Sequence, residues 1–276
     1  MSIPEPRIPT VLCFSGLDPT GGAGLQADIE AIVSTGGHPL PIATSLTVQD
    51  TRDVQALMPC DARQVAAQAR AVLADVPVAA IKIGLLGSLG IVEFLHTFLA
   101  DCEGIPVVLD PVLRAGGGTA LAGGDLIGAM TARLVPRTTV LTPNTREVLR
   151  IVPGAPNVDA AAEQIVAAGC EYVLVTGADE ATPRVVNRLY GCHGLVESFE
   201  WPRVEGMFHG SGCTLSAAVA GGLACGLAPR EAVAQAEQFT HDAIANGFRI
   251  GAGQLVPNRL HRVRKYGAAV HCTERR

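Results

Sequence analysis

Lysine is almost missing from this 276-residue chain: Lys82 and Lys265 are the only two among 21 basic residues. A P-loop needs a lysine directly after its glycine turn to reach the nucleotide phosphates, so that class of site is excluded. Aromatic residues make up only 4%, and 26 acidic against 21 basic side chains leave a net charge of −5. That balance argues against nonspecific binding to a polyanion such as nucleic acid. The eight cysteines contain no Cys-x-x-Cys pair, and no histidine pair stands nearby at zinc spacing, so a structural metal is not expected. No uninterrupted apolar run of about 18 residues occurs, and the opening MSIPEPRIPT has no apolar leader core. A soluble cytoplasmic protein is expected, with most of its cysteines reduced and buried as small hydrophobes.

Hydrophobic side chains, at 48%, are plentiful enough for a sizeable core, and 31 Gly with 18 Pro stay below one fifth of the chain. That falls short of the roughly 25–30% typical of low-complexity sequence. Short apolar runs at 10–16, 41–49, 79–86, 106–113, 138–143 and 172–177 read as strands too apolar for a sheet with a wet face. Helical patterns separate them near 22–36, 62–75, 89–102, 144–152 and 158–169, with two more at 212–227 and 229–248. The alternation predicts a three-layer α/β/α sandwich around a mostly parallel sheet. Residues 185–204 break the rhythm and read as an antiparallel edge. One domain over 1–276 is expected, with flexible ends at about 1–9 and 258–276; the basic tail is assigned no function.

In an open parallel sheet, ligands bind beyond the carboxyl ends of the strands, and four such ends carry polar or glycine-rich sequence. The first is SGLDPTGGAGLQAD (15–28), where Gly21, Gly22 and Gly24 let backbone approach a ligand closely. Gly22-x-Gly24-x-x-Ala27 also fits a dinucleotide fingerprint loosely, although the acidic partner, Asp50, lies 26 residues beyond Gly24. The second, HGSGCTLSAAVAGGLACG (209–226), enters a helix through Gly210, Ser211, Gly212 and Cys213. Their N–H groups at a helix N-terminus favour an anion, including a phosphoryl group in transfer, and the same field would lower the Cys213 thiol toward partial thiolate. The third, LTPNTREV (141–148), sets Asn144 and Glu147 on one helix face, as Mg²⁺ ligands or as a plain capping box. The fourth, LDPVLRAGGGTAL (109–121), ends a strand in Asp110 and continues into Gly116–Gly118, which reads as a mobile lid.

Together these segments resemble the ribokinase-like superfamily, and within it the hydroxymethylpyrimidine/phosphomethylpyrimidine kinases of thiamine biosynthesis. The likeness runs from about residue 10 to 250 and rests on SGLDPTGGAGLQADI, TSLTVQDT, IKIGLLGS, VVLDPV, LTPNTREV and HGSGCTLSAA. It implies ATP-dependent phosphorylation of 4-amino-5-hydroxymethyl-2-methylpyrimidine and then of its monophosphate, by a homodimer. It further implies a pyrimidine held by Gln49, Asp28, Gly16, the Ala23 backbone, Leu85 and Val112. Mg²⁺ and nucleotide phosphates would lie near Asp110, Asn144, Glu147, Thr176 and Gly177. The turn at 210–213 would serve as anion hole, with Cys213 where related sugar kinases carry an aspartate.

Two family lysines are missing: Thr176-Gly177-Ala178 and Gly116-Gly117-Gly118-Thr119 stand in their places. Charge on the transferring phosphate must then be offset by Mg²⁺, by backbone donors or by an arginine such as Arg114. Three rival readings stay open. Pyridoxal or pyridoxine could replace the pyrimidine; Cys213 with His209 could form a cysteine-nucleophile hydrolase lacking an obvious orienting carboxylate; or the chain could bind a vitamin without turning it over.

Overall fold

The computed structural model describes residues 8–262. Nine strands form one sheet in the order β3-β2-β1-β4-β5-β6-β7-β8-β9. They are β1 (Thr10–Leu17), β2 (His38–Gln49), β3 (Val54–Pro59), β4 (Ala80–Ile83), β5 (Val107–Leu109), β6 (Val140–Leu141), β7 (Tyr172–Val175), β8 (Arg184–Gly191) and β9 (Gly194–Pro202). The six from β2 to β7 run parallel, while β3, β8 and β9 are antiparallel edges.

Helices cover both faces, which explains the unbroken apolar strands. In β1, Leu12 and Phe14 enter one core while Val11 and Cys13 enter the other, all four fully buried. The first core is closed by α2 (Ala62–Asp75), α3 (Leu89–Asp101), α4 (Gly124–Arg133), α5 (Thr145–Ile151) and α6 (Val158–Ala167). The second is closed by α1 (Gly24–Ser34), α7 (Ser211–Ala224) and α8 (Pro229–Ala245). This is the expected sandwich.

Two elements escaped the sequence reading. Strand β3 returns along β2 after the four-residue turn 50–53, forming a hairpin whose short alternating run was hidden behind a polar turn. Helix α4 follows two glycines, and its apolar positions Ile127 and Met130 lie in a stretch too small and polar to read as periodic. The cysteines also sort differently: among the described residues only Cys13, Cys102 and Cys170 are buried, while Cys192 and Cys225 are exposed. Finally, residues 258–262 are not a loose tail. Asn258 and Arg259 are buried, at 3% and 1% exposure. The rest of the expected flexible ends, 1–7 and 263–276, lies outside the described residues.

Candidate active site

The strand order reverses direction around β1, and the loops beyond the carboxyl ends of β1, β4, β5 and β6 enclose a cavity of about 200 Å³. A second cavity, about 470 Å³, lies between the β8–β9 hairpin and helices α7 and α8. The two share Gly116, Thr176, Phe208, Ser211 and Gly212 on their walls, so the start of α7 stands at their junction. Gly210 caps that helix with φ +81°, and a Cβ there would come within 2.0 Å of the Gly22 carbonyl oxygen. Only glycine permits both the left-handed turn and this approach.

The first helical hydrogen bond of α7 runs from Thr214 N–H to the Gly210 carbonyl at 2.9 Å. Ahead of it, among the described residues, the N–H groups of Gly210, Ser211, Gly212 and Cys213 meet no protein acceptor. They form a polarised cup of orphan donors that opens on the junction of the two cavities.

The earlier glycine turn behaves in the opposite way. Asp18, only 5% exposed, accepts hydrogen bonds from Thr20 N–H and Oγ1 and from Ala23 N–H, each at 2.8 Å, and pairs with His209 Nε2 at 2.9 Å. Burial opposes ionisation, but these bonds, with one from Gln49, hold its carboxyl well below the ordinary range. The Gly22 N–H is taken by Thr20 Oγ1 at 3.2 Å. The expectation that the Ala23 backbone is free to meet substrate is therefore corrected for its N–H, which Asp18 occupies. Asp18 was not singled out from the sequence, although an Asp-Pro-Thr turn ahead of glycines is a recognisable self-capping signal.

Gly16, Gln49, Leu85 and Val112 all line the smaller cavity, as do Ala23, Asp110, Asn144, Glu147, Thr176 and the four residues of the cup. Asp28 does not. It faces inward from α1, fully buried, 2.9 Å from Lys82 Nζ. Helical periodicity places it with Leu25, Ile32 and Ala31 on the covered face. Burial pushes its carboxyl up and Lys82 pulls it back, while Lys82 is held charged against burial chiefly by Asp28, with Asp110 adding to it. Lys82, one of the chain's two lysines, is thus a fixed cation behind the cavity floor. Gly177 is also displaced from the expected nucleotide contacts: its N–H goes to Asn187 Oδ1 at 2.9 Å, and a Cβ would strike the Val186 carbonyl.

Asp110 and Glu147 both line the smaller cavity. Burial raises both carboxyls, each is raised further by a carboxylate neighbour, and Glu147 reaches about 7. Asn144 and Glu147 form the reciprocal capping box of α5, and Glu147 Oε1 also accepts from Leu113 N–H at 3.1 Å. Among the described residues no three metal-ligating side chains converge. Two carboxyls on one cavity wall nevertheless suit Mg²⁺, which takes one or two carboxylates and completes its shell with phosphate and water.

Cys213 overturns the thiolate expectation. Burial and the nearby Asp110 push its thiol up to about 12, outweighing Lys82 and the Gly24 N–H. Its sulfur instead accepts from Gly24 N–H, and the thiol contacts Asp110. Although Asp18 supplies the orienting carboxylate for His209 that the hydrolase reading lacked, a neutral thiol is a poor nucleophile. The dinucleotide reading fails as well, because Asp50 caps its own hairpin turn through Arg52 N–H and Asp53 N–H.

The glycine lid is a small antiparallel flap, Arg114 bridging to Ala120. It lies against the β2–β3 turn, where Thr119 Oγ1 donates to Asp53 Oδ2 at 2.8 Å and a Cβ on Gly117 would strike Asp53. Gly117 thus serves close contact between the two loops, whereas Gly118, at φ +108°, has nothing within 4 Å of a Cβ. Arg114, on this flap, lines the smaller cavity.

Residues 18–258 match the family model described as phosphomethylpyrimidine kinase. The hydroxymethylpyrimidine/phosphomethylpyrimidine kinase of Streptomyces coelicolor is 36% identical over 262 residues, covering 92% of this chain and 96% of that protein. Among solved structures, an ADP complex of Bacillus subtilis pyridoxal kinase superposes with a TM-score of 0.85 at 28% identity, covering 94% of this chain and 100% of the other. Clostridium difficile phosphomethylpyrimidine kinase superposes with a TM-score of 0.73, also at 28% identity, over 86% of this chain and 100% of the other. The sandwich, the two-cavity site and the match over nearly its whole length place the chain in the phosphomethylpyrimidine kinase family.

Proposed function

We propose that the protein transfers the terminal phosphoryl group of ATP to 4-amino-5-hydroxymethyl-2-methylpyrimidine and then to its monophosphate, yielding the diphosphate used for thiamine. The observation that carries this reading is the cup of unengaged N–H groups at 210–213 where two cavities meet. A transferring phosphoryl group must touch both donor and acceptor, and its equatorial oxygens need fixed positive partners.

The flat ring fits the smaller cavity, with Leu85 and Val112 as apolar walls and Gln49 as the paired donor and acceptor for a ring nitrogen and amine. Gly16 and Ala23 let backbone lie close to it. The nucleotide fits the larger cavity, its phosphates directed past Asn144 and Thr176 toward the cup. Asp110 and Glu147 would hold Mg²⁺, which when bound neutralises phosphate charge. Cys213, Gly210, Ser211 and Gly212 orient the phosphoryl group, and Arg114 on the flap adds charge where the family lysine is missing. Because the transition state is loose, no strong base is required, and a neutral Cys213 is adequate.

A homodimer belongs to the same reading. Leu17, Leu46 and Met58 pair across three strands and are 43%, 41% and 49% exposed, an apolar row that a second copy would cover. The described cysteines are all free thiols, which suits the reducing cytoplasm, and no described helix is long and apolar enough to cross a membrane. The deciding experiment is a mass-spectrometric assay with ATP and Mg²⁺, supplying the pyrimidine alcohol, its monophosphate and pyridoxal separately. Phosphorylation of both pyrimidines supports the reading, whereas turnover of pyridoxal alone would move the assignment to the vitamin B6 ring.

A further inference from the structure

Arg259 stands past the last helix, in a stretch the sequence presents as a basic tail, yet its side chain is fully buried behind the cup. Its guanidinium reaches three segments of the chain: the glycine turn at 21–22, Glu30 on α1 and Thr214 on α7. Nε donates to Thr214 Oγ1 at 2.8 Å, and that hydroxyl in turn donates to the Gly210 carbonyl at 2.7 Å. Nη2 donates to the Gly22 carbonyl, and Nη1 to the Gly21 carbonyl at 3.4 Å and to Glu30 Oε2 at 3.2 Å. The Arg259 carbonyl accepts from Ser34 Oγ at 2.8 Å, fastening the segment to the end of α1.

Each bond has a consequence for the cup. A peptide plane is rigid, so a carbonyl held back toward Arg259 fixes the direction of the following N–H. The Gly21 and Gly22 carbonyls would repel a phosphate if they turned into the cavity; the guanidinium draws them the other way. Gly210 has no side chain to limit its rotation, and its carbonyl is held by Thr214, which Arg259 holds in turn. The planar fork suits this task because five donors leave it in fixed directions, which an ammonium cannot reproduce.

We propose that Arg259 is the positioning residue of the phosphate cup, locking the two glycine turns against each other. This rests on the phosphotransferase reading above. Arg259 does not touch substrate. It acts through Gly210, Gly22 and Thr214.

The test is steady-state kinetics of wild type, Arg259→Lys, Arg259→Met and Thr214→Val, varying ATP and the pyrimidine alcohol independently, with circular dichroism and thermal midpoints for each. Displacing the cup should lower kcat by about a hundredfold in Arg259→Met. Arg259→Lys, which keeps charge without the fork, should fall between that variant and wild type. KM for the alcohol should stay within about threefold in every variant, because Gln49 and its neighbours are untouched. Thr214→Val keeps Arg259 in place and should reproduce the same pattern in milder form, so the proposal stands on a folded enzyme even if Arg259→Met unfolds. A folded Arg259 variant or a Thr214→Val enzyme with wild-type kcat would overturn the proposal while leaving the kinase reading intact. Absence of turnover in wild type itself would remove both.

Discussion

The two glycine turns at the mouth of the site look alike in the sequence and do opposite things. Residues 18–24 curl around an anion the protein already owns: the Asp18 carboxylate takes the N–H groups of Thr20 and Ala23, and Thr20 takes that of Gly22. Residues 210–213 leave their N–H groups without a protein partner. A nest of backbone donors binds whichever anion is nearest, so an internal carboxylate converts a potential phosphate site into a rigid structural knot. The first turn therefore supplies the wall, and the second supplies the chemistry. Gly210 and Gly22 touch, so each turn limits the other.

That contrast can be broken most severely at Gly210. Replacing it by alanine puts a Cβ 2.0 Å from the Gly22 carbonyl at φ +81°, and turnover should fall by about a hundredfold to a thousandfold. Stopped-flow product formation on protein shown to be folded by circular dichroism measures it. Gly212→Ala is the sharpening control: nothing lies within 4 Å of its Cβ position. The fold should survive, and urea unfolding should show unchanged or slightly higher stability.

Asp18→Ala should act on stability first, by about 2–4 kcal/mol in urea unfolding, because the donors of Thr20, Ala23 and His209 lose their acceptor. Since the Asp18 carboxyl is depressed in the folded protein, its contribution is present above the ordinary carboxylate range and lost as pH falls through the folded value. The acid limb of wild-type unfolding should therefore flatten in the variant. Glu237, on the wall of the larger cavity, has the reverse sign. Burial raises it to about 7 despite bonds from Asn187 and Trp201, so the folded protein binds the proton more tightly and loses stability as pH rises from about 4.5 to about 7. Unfolding midpoints at pH 5 and pH 8 should differ in wild type and converge in Glu237→Gln.

The smallest effect is expected at Cys213. Its thiol is protonated at neutral pH, so Cys213→Ala should cost no more than about tenfold in the first phosphorylation, below the span of a true general base. The second should lose less, its nucleophile being already an anion. Equal losses in single-turnover assays of the two steps would assign the residue a purely spatial role.

The sandwich was legible because its strands are buried on both faces, and fully apolar runs such as TVLCFSG leave few alternatives. Helix α2 begins and ends where its pattern puts it, at 62 and 75, and Asp61 caps it. The cavity wall was legible through Asp110 and Asn144, just past strand ends, and through the family resemblance, which implied Gln49 and Leu85. What stayed hidden depended on contacts between distant segments. Asp28 is defined by Lys82, 54 positions away in sequence, and Arg259 by a glycine turn more than 200 residues earlier. The Cys213 ionisation depended on Asp110, which no local motif reveals. Strand β3 and helix α4 were obscured by polar and glycine-rich borders.

The account rests most heavily on which N–H groups meet the transferred phosphoryl. Amide ¹H–¹⁵N spectra recorded while ADP, Mg²⁺ and aluminium fluoride are added as a mimic of the transferring group test this directly. The account predicts large downfield proton shifts at Gly210, Ser211, Gly212 and Cys213, with Gly22 and Ala23 nearly unmoved. Shifts concentrated at Gly22 and Ala23, or none at 210–213 on saturation with the mimic, would contradict it.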